Sequence, residues 1–223
     1  MKEDNAERDC RDKDYIYRVM KKKILSRDFV ANESLDLDKL ANIMGVSRTP
    51  LRDALKKLEH EGFIKTIPRK GTFVNGIYRE DLIEIFQFRE MFELYAVEIG
   101  FSKLIACIEE MTGLVDQWEQ EVTKEDYDGL VLMELDVKFH GLIMQSTNRK
   151  ILNAYNSINY HVQTARSYFL VKNSRFRDTL NEHLEIVNCI RNENKAGTKL
   201  VLKKHLDKTL DGLLKIINVV KVF

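Results

Sequence analysis

The stretch LDLDKLANIMGVSRTPLRDALKKLEHEGFIKTIPRKGTFV, Leu35 to Val74, decides how the rest of the chain reads. Leu37, Leu40, Ala41 and Met44 recur at helical spacing and predict a helix over Asp36–Met44, capped by Asp36 or nearby Ser34. Gly45 ends that helix as a C-terminal turn residue, and Val46 plugs the angle to the next one. Ser47 is placed to cap a third helix. Pro50 is tolerated there, because first-turn N–H groups have no acceptor within the helix. Ala54, Leu55 and Leu58 share its inner face, while Arg48, Arg52, Lys56 and Lys57 lie outward, and Gly62 closes it. Phe63–Ile67 and Thr72–Val74 are β-prone runs around a basic hairpin tip, Pro68-Arg69-Lys70-Gly71. Helix, turn, helix and hairpin, in that order, is the order of a winged helix-turn-helix. The second helix of such a pair enters the major groove, and the tip reaches the backbone or minor groove.

Upstream, Tyr15, Ile16, Val19, Met20 and Ile24 predict a first helix from Lys13 to about Arg27, after a charged and frayed start. Asn32–Ser34 reads as a loop. Charge follows the same division. Residues 1–77 carry 17 Lys/Arg and 13 Asp/Glu, residues 78–223 carry 19 and 22, and Ser47–Lys70 alone carries seven basic and three acidic. A locally basic module joined to a mildly acidic one suits contact with a polyanion at one end only.

Downstream the texture changes to long apolar-periodic segments without a proline. They cover Leu82–Leu104 (interrupted by Gly100), Ile105–Gln120, Leu130–Gln145, Ile151–Leu170, Thr179–Asn192 and Lys195–Val219, with a loop at Lys172–Phe176. Two prolines and ten glycines in 223 residues favour helices over a turn-rich sandwich. The expected fold is therefore mainly α. A winged helix-turn-helix DNA-binding domain over 1–77 precedes an all-α antiparallel bundle over 78–223. No apolar run is long enough to span a membrane, and the first residues lack the apolar core of a secretory signal. Cys10, Cys107 and Cys189 are odd in number and widely spaced, which points to a reducing cytoplasm.

Asp136 and His140 stand at i,i+4 and project from one helix face; His183 and His205 sit on later helices. Together they offer three imidazoles and a carboxylate oxygen. Such a set suits Zn²⁺, Ni²⁺, Co²⁺, Fe²⁺ or Mn²⁺ rather than Ca²⁺, which prefers oxygen ligands throughout. The alternative is four unrelated polar residues, since spacing alone does not make separate helices converge. Arg89, among apolar neighbours, forks onto a carboxylate ligand, pairs with Glu90 or Glu93, or simply faces solvent. His161 reads as a pocket or surface residue, and His60 as exposed.

LANIMGVSRTPLRDALKKLEHEGFIKTIPRKGTFV closely resembles the DNA-binding domain of GntR-family transcription regulators. FREMFELYAVEIG, DVKFHGLIMQSTNRKIL and EHLEIVNCIRNENKAGTKLVLKKHL resemble the FCD ligand-binding domain of the FadR subfamily, and the two likenesses together cover roughly residues 13–215. The resemblance implies DNA contacts from Arg48, Thr49 and Arg52, with Lys70 and Gly71 at the wing and Ser47 as a cap that touches phosphate. It implies metal ligation by Asp136, His140, His183 and His205, and an effector pocket lined by Arg89. It further implies a small organic acid as effector and a homodimer on palindromic operator DNA. The expected function is a cytoplasmic transcription regulator, a repressor and not an enzyme, whose operator grip responds to that acid at a divalent metal. A metal-responsive regulator, a regulator with a purely structural metal and, distantly, a metallohydrolase are the other readings. Two departures stand out: RDFVANESL lacks the Gly and Pro usual between the first two helices, and Asp36, Asp38 and Lys39 occupy a region that usually offers a cleaner basic contact.

Overall fold

A computed structural model of the chain describes residues 13–26, 28–76, 78–156 and 175–219. The chain divides into two compact units at Ile77/Tyr78.

In the first unit, helix α1 (Lys13–Leu25) lies against α3 (Arg48–His60), with α2 (Leu37–Met44) completing the trio. Ile16, Met20 and Ile24 meet a core that includes Leu51, Ala54, Leu55 and Leu58. Asp36 is the cap of α2, accepting from the backbone N–H groups of Asp38 and Lys39 at 3.0 Å each. Gly45, at φ 64°, supplies the left-handed turn that ends α2. Ser47 occupies the cap position of α3, but its side chain makes no capping hydrogen bond. That leaves its hydroxyl outside the local backbone network, contrary to the expected cap.

Ser34 is neither a loop residue nor a cap. With Leu35 it forms strand β1, antiparallel to β3 (Gly71–Val74), which also pairs with β2 (Ile64–Ile67) in the order β1-β3-β2. The two residues alternate out and in, so the run is too short to announce itself by periodicity. In the hairpin the left-handed turn position falls on Arg69 (φ 64°), and Gly71 (φ 117°) already begins β3 opposite Ile67. The basic turn is thus Pro68–Lys70, closed by the Lys70 N–H on the Ile67 carbonyl at 3.0 Å.

The second unit is helical: α4 (Arg79–Ala106), α5 (Ile108–Val122), α6 (Gly129–Gln145), a helical segment over 149–156, α7 (Phe176–Arg191) and α8 (Lys195–Val219). Helix α4 packs on α8 and α6, α5 on α6 and α7, and α7 on α8. Gly100 does not interrupt α4. A side chain there would land inside van der Waals contact of Ser146, so glycine permits the close approach of the α6 end, where Ser146 Oγ donates to the Ala96 carbonyl at 3.2 Å. The true break falls at Cys107, and Phe176 belongs to α7 rather than to a loop. The expected helix Ile151–Leu170 and loop from Lys172 lie mostly outside the described residues, as do His161 and Cys10. No helix among the described residues is long and apolar enough to cross a membrane.

Candidate metal centre and DNA-facing residues

Helix α6 carries Asp136 and His140 one turn apart on its buried face; α7 brings His183 and α8 brings His205. The four buried side chains converge, each offering a ligand atom within 4.8 Å of the others. His183 Nε2 stands 3.3 Å and His140 Nε2 3.6 Å from Asp136 Oδ1, and the Nε2 atoms of His140 and His205 are 3.2 Å apart. Phe139 stacks on His183 at 4.1 Å between ring centres, and Trp118 meets that imidazole edge-on. Trp118 is held in turn by its indole N–H on the Phe176 carbonyl at 3.0 Å.

Two acidic residues orient the ring nitrogens that face away from the centre. Glu93 Oε2 lies 2.6 Å from His140 Nδ1, and Glu182 Oε2 lies 2.7 Å from His205 Nδ1. Burial pushes Glu93 toward its neutral form. The charge of Arg89 and the hydrogen bonds from Arg89 and His140 outweigh it and hold the carboxyl well below the usual range. Burial likewise opposes ionisation of Glu182, but the His205 bond, Arg175 and Lys208 bring its pKa down to about 2. His205 is pushed down to about 3, first by burial and further by the neighbouring histidines, so it is neutral. An ionised carboxylate only accepts, so each Nδ1 must be the N–H of its ring. The Nε2 atoms of His140 and His205 then face the same buried space beside Asp136. Ring nitrogens and a carboxylate facing one another in low dielectric fit a cation between them. The residues present therefore suit a divalent transition ion, with an N₃O donor set.

Among the described residues, Arg89 is the largest fully buried side chain. Its Nε donates to Glu93 Oε1 at 2.8 Å, which satisfies the pairing expectation with Glu93 rather than Glu90. Burial works against its charge, but Glu93 outweighs that and raises its pKa above the ordinary value, with Asp136 adding to the effect. Both terminal nitrogens, Nη1 and Nη2, are buried without a hydrogen-bond partner among the described residues. Leaving such donors unmade costs on the order of 1–3 kcal/mol for a neutral group and more for a charged one. An anion with two oxygens would satisfy both.

In the first unit Ser47, Arg48, Thr49, Arg52, Lys70 and Gly71 are all exposed. Arg48 is ion-paired with Asp38 of α2, one of the acidic residues in the region that departs from the family pattern. His60 is exposed, as expected.

Residues 84–208 match the model of the FCD domain, and residues 13–74 match that of bacterial regulatory proteins of the gntR family. The chain belongs to the GntR family. Its members are DNA-binding transcription regulators, and this chain is one with an FCD domain. It is 29% identical over 207 residues to the uncharacterized HTH-type transcriptional regulator YdhC of Bacillus subtilis, covering 91% of each chain. It is 26% identical over 196 residues to the gluconate operon transcriptional repressor of Bacillus licheniformis, covering 87% of this chain and 77% of that one. Among solved structures, Escherichia coli McbR/YncC superposes with a TM-score of 0.73 at 18% identity, covering 91% of this chain and 97% of that one, a likeness of fold. These relatives are regulators rather than enzymes.

Glu182 and Tyr155 escaped the reading of this GntR-family sequence, and Glu93 entered it only as a partner for Arg89. A signal existed. Arg89 and Glu93 lie on the buried stripe of α4 with Leu82, Phe86, Val97 and Leu104, and Glu182 lies on that of α7 with Ile186 and Ile190. A charge on an apolar stripe marks a buried partner even where the partner cannot be named.

Proposed function

We propose that this regulator is a repressor whose grip on a palindromic operator is set by a small organic acid bound beside a divalent metal in the FCD domain. The observation that carries this is Arg89: a buried guanidinium with both terminal nitrogens unpartnered among the described residues, tied through Glu93 to one of four converging ligand side chains. Asp136, His140, His183 and His205 would hold the ion, of Zn, Ni, Fe, Co or Mn type. When bound, it supplies a Lewis-acidic positive centre for a carboxylate oxygen. Arg89 binds and orients the acid through its free fork, and Phe139 and Trp118, packed on His183, give the quartet an apolar flank. A purely structural or metal-sensing site gives no role to that fork. The relative named as a gluconate operon repressor supports both repression and an acid-linked regulon.

At the other end, Arg48, Thr49 and Arg52 read the major groove from the first turns of α3, and Ser47, Lys70 and Gly71 meet the backbone. Ser47 has its hydroxyl free of capping, which suits a phosphate contact. Arg48 exchanges Asp38 for DNA. A palindromic operator calls for a two-fold protein. Met91, Tyr95 and Ile99, at i,i+4,i+8, form an exposed apolar stripe on α4 that supports a homodimer through the second unit. A cytoplasmic setting fits a DNA reader with free thiols at Cys107 and Cys189. The acid shifts the operator equilibrium only by binding the DNA-competent and incompetent states unequally, a difference of about 1–3 kcal/mol being enough.

A thermal-shift screen of small carboxylates, with metal-loaded and chelated protein, tests the site. The expected result is a rise in melting temperature for a subset of acids, requiring metal and abolished in Arg89→Lys, which keeps the charge and loses the fork. Acid-induced rises of equal size in the Arg89→Lys variant would remove Arg89 from the site.

A further inference from the structure

Glu93 is fully buried and divides its two oxygens between the two halves of the site. Oε1 accepts from Arg89 Nε at 2.8 Å and from the Tyr155 hydroxyl at 2.9 Å; Oε2 accepts from His140 Nδ1 at 2.6 Å. We propose that Glu93 is the positioning residue that couples the anion-binding fork of Arg89 to the metal-binding state of His140. The inference rests on the reading of the quartet and Arg89 given above.

The coupling follows from acceptor count. Arg89 Nε is always a donor, and a carboxylate has acceptors on both sides, so His140 must present Nδ1–H to Glu93, which leaves Nε2, beside Asp136 and His205, as the nitrogen available to a metal. By occupying Nε, Glu93 also fixes the guanidinium plane and leaves its Nη1/Nη2 end for a ligand. Tyr155, on the segment over 149–156, pins the carboxylate from a third side. An amide of the same shape cannot replace it. If its oxygen stays on Arg89, its NH₂ faces His140 Nδ1 and drives the ring proton onto Nε2, capping a ligand lone pair. If the amide is flipped, its NH₂ opposes the Arg89 Nε–H and displaces the fork. One half fails in either orientation.

Glu182 is an internal control. It performs the same service for His205, accepting from Nδ1 at 2.7 Å, but its other partners are Arg175 and Lys208, at 3.0 and 3.1 Å, neither of which has the buried, open fork of Arg89.

Co²⁺ titrations followed by the visible bands, and nitrogen-15 imidazole and guanidinium spectra of the metal-free protein, test the proposal. Wild-type His140 should be the Nδ1–H tautomer, and Arg89 Nε–H should be shifted by its ionic hydrogen bond. Glu93→Gln should bind Co²⁺ about 10–100-fold more weakly, or else keep its Co²⁺ affinity and lose the Arg89 Nε–H signature, with the overall amide spectrum retained. Glu182→Gln should weaken Co²⁺ binding to a similar extent and leave the Arg89 signal in place. An Nε2–H tautomer of His140 in the wild-type protein overturns the proposal. So does a Glu93→Gln protein with both Co²⁺ affinity and the Arg89 signal unchanged. If wild-type protein binds no Co²⁺, the metal reading fails by itself, while the tautomer still decides the role of Glu93.

Discussion

The two units hold their functional charges in opposite settings. In the first, Arg48, Thr49, Arg52 and Lys70 are exposed, and the ion pairs nearby, Arg48–Asp38 and Lys56–Asp53, lie in water. Such pairs are weak and exchange readily, so Arg48 can leave Asp38 for a phosphate or a base edge. In the second, Arg89, Glu93, Asp136, His140, His183 and His205 are all buried, and their orientations are fixed by one another. There each group's partners determine what its remaining atoms can bind. A surface built for exchange tolerates local change, whereas a buried network passes a change at one residue to the next.

That contrast predicts graded losses. The largest belongs to the buried quartet: His183→Ala should weaken Co²⁺ or Zn²⁺ binding by on the order of 100-fold or more, since losing a direct ligand exceeds the cost of losing an outer one. Calorimetric titration showing near-normal metal affinity would break the site as drawn. Arg52→Ala should weaken operator binding by about 1–3 kcal/mol, roughly 5–150-fold, with metal affinity intact. Anisotropy on a duplex selected from random sequence would show it, and normal affinity would remove Arg52 from the interface. Lys70→Ala should cost less, similarly for all sequences, and reduce the salt slope by about one if it meets phosphate. An unchanged slope would place Lys70 away from the backbone.

Acid should expose the buried setting most gently. His205 has its pKa pushed down to about 3 from an ordinary 6.5, so the unfolded chain takes up the proton first as pH falls. Its contribution to stability is complete above pH 6.5 and is lost progressively toward pH 3. The chelated protein should melt at lower temperature at about pH 5 than at about pH 7, and His205→Asn should flatten that difference. A wild-type profile already flat over that range would show that His205 is not held neutral by the fold.

The same contrast explains what was legible in the chain. SRTPLRDAL and RKGTFV declare an exposed reading surface because helix period, turn residues and basic charge all act locally. The quartet was legible in residue type and in the i,i+4 spacing of Asp136 and His140. Its convergence was not, because that depends on how α6, α7 and α8 pack. Glu93 and Glu182 were the hardest to see, since a charge on an apolar stripe reveals burial but not the imidazole 23 or 47 positions away that it serves. Gly100 misled for a related reason: its meaning lies in Ser146 on another helix, not in its own helix propensity. Strand β1 was missed because two residues have no period to read.

The central claim is that an acid held by Arg89 and the metal site changes the grip of the exposed surface on DNA. Operator anisotropy with metal-loaded and chelated protein, each titrated with the acids that raise its melting temperature, measures this directly. The account predicts an operator affinity shifted about 5–150-fold by acid in the metal-loaded protein and little changed in the chelated one. An operator affinity indifferent to acid in both would contradict it.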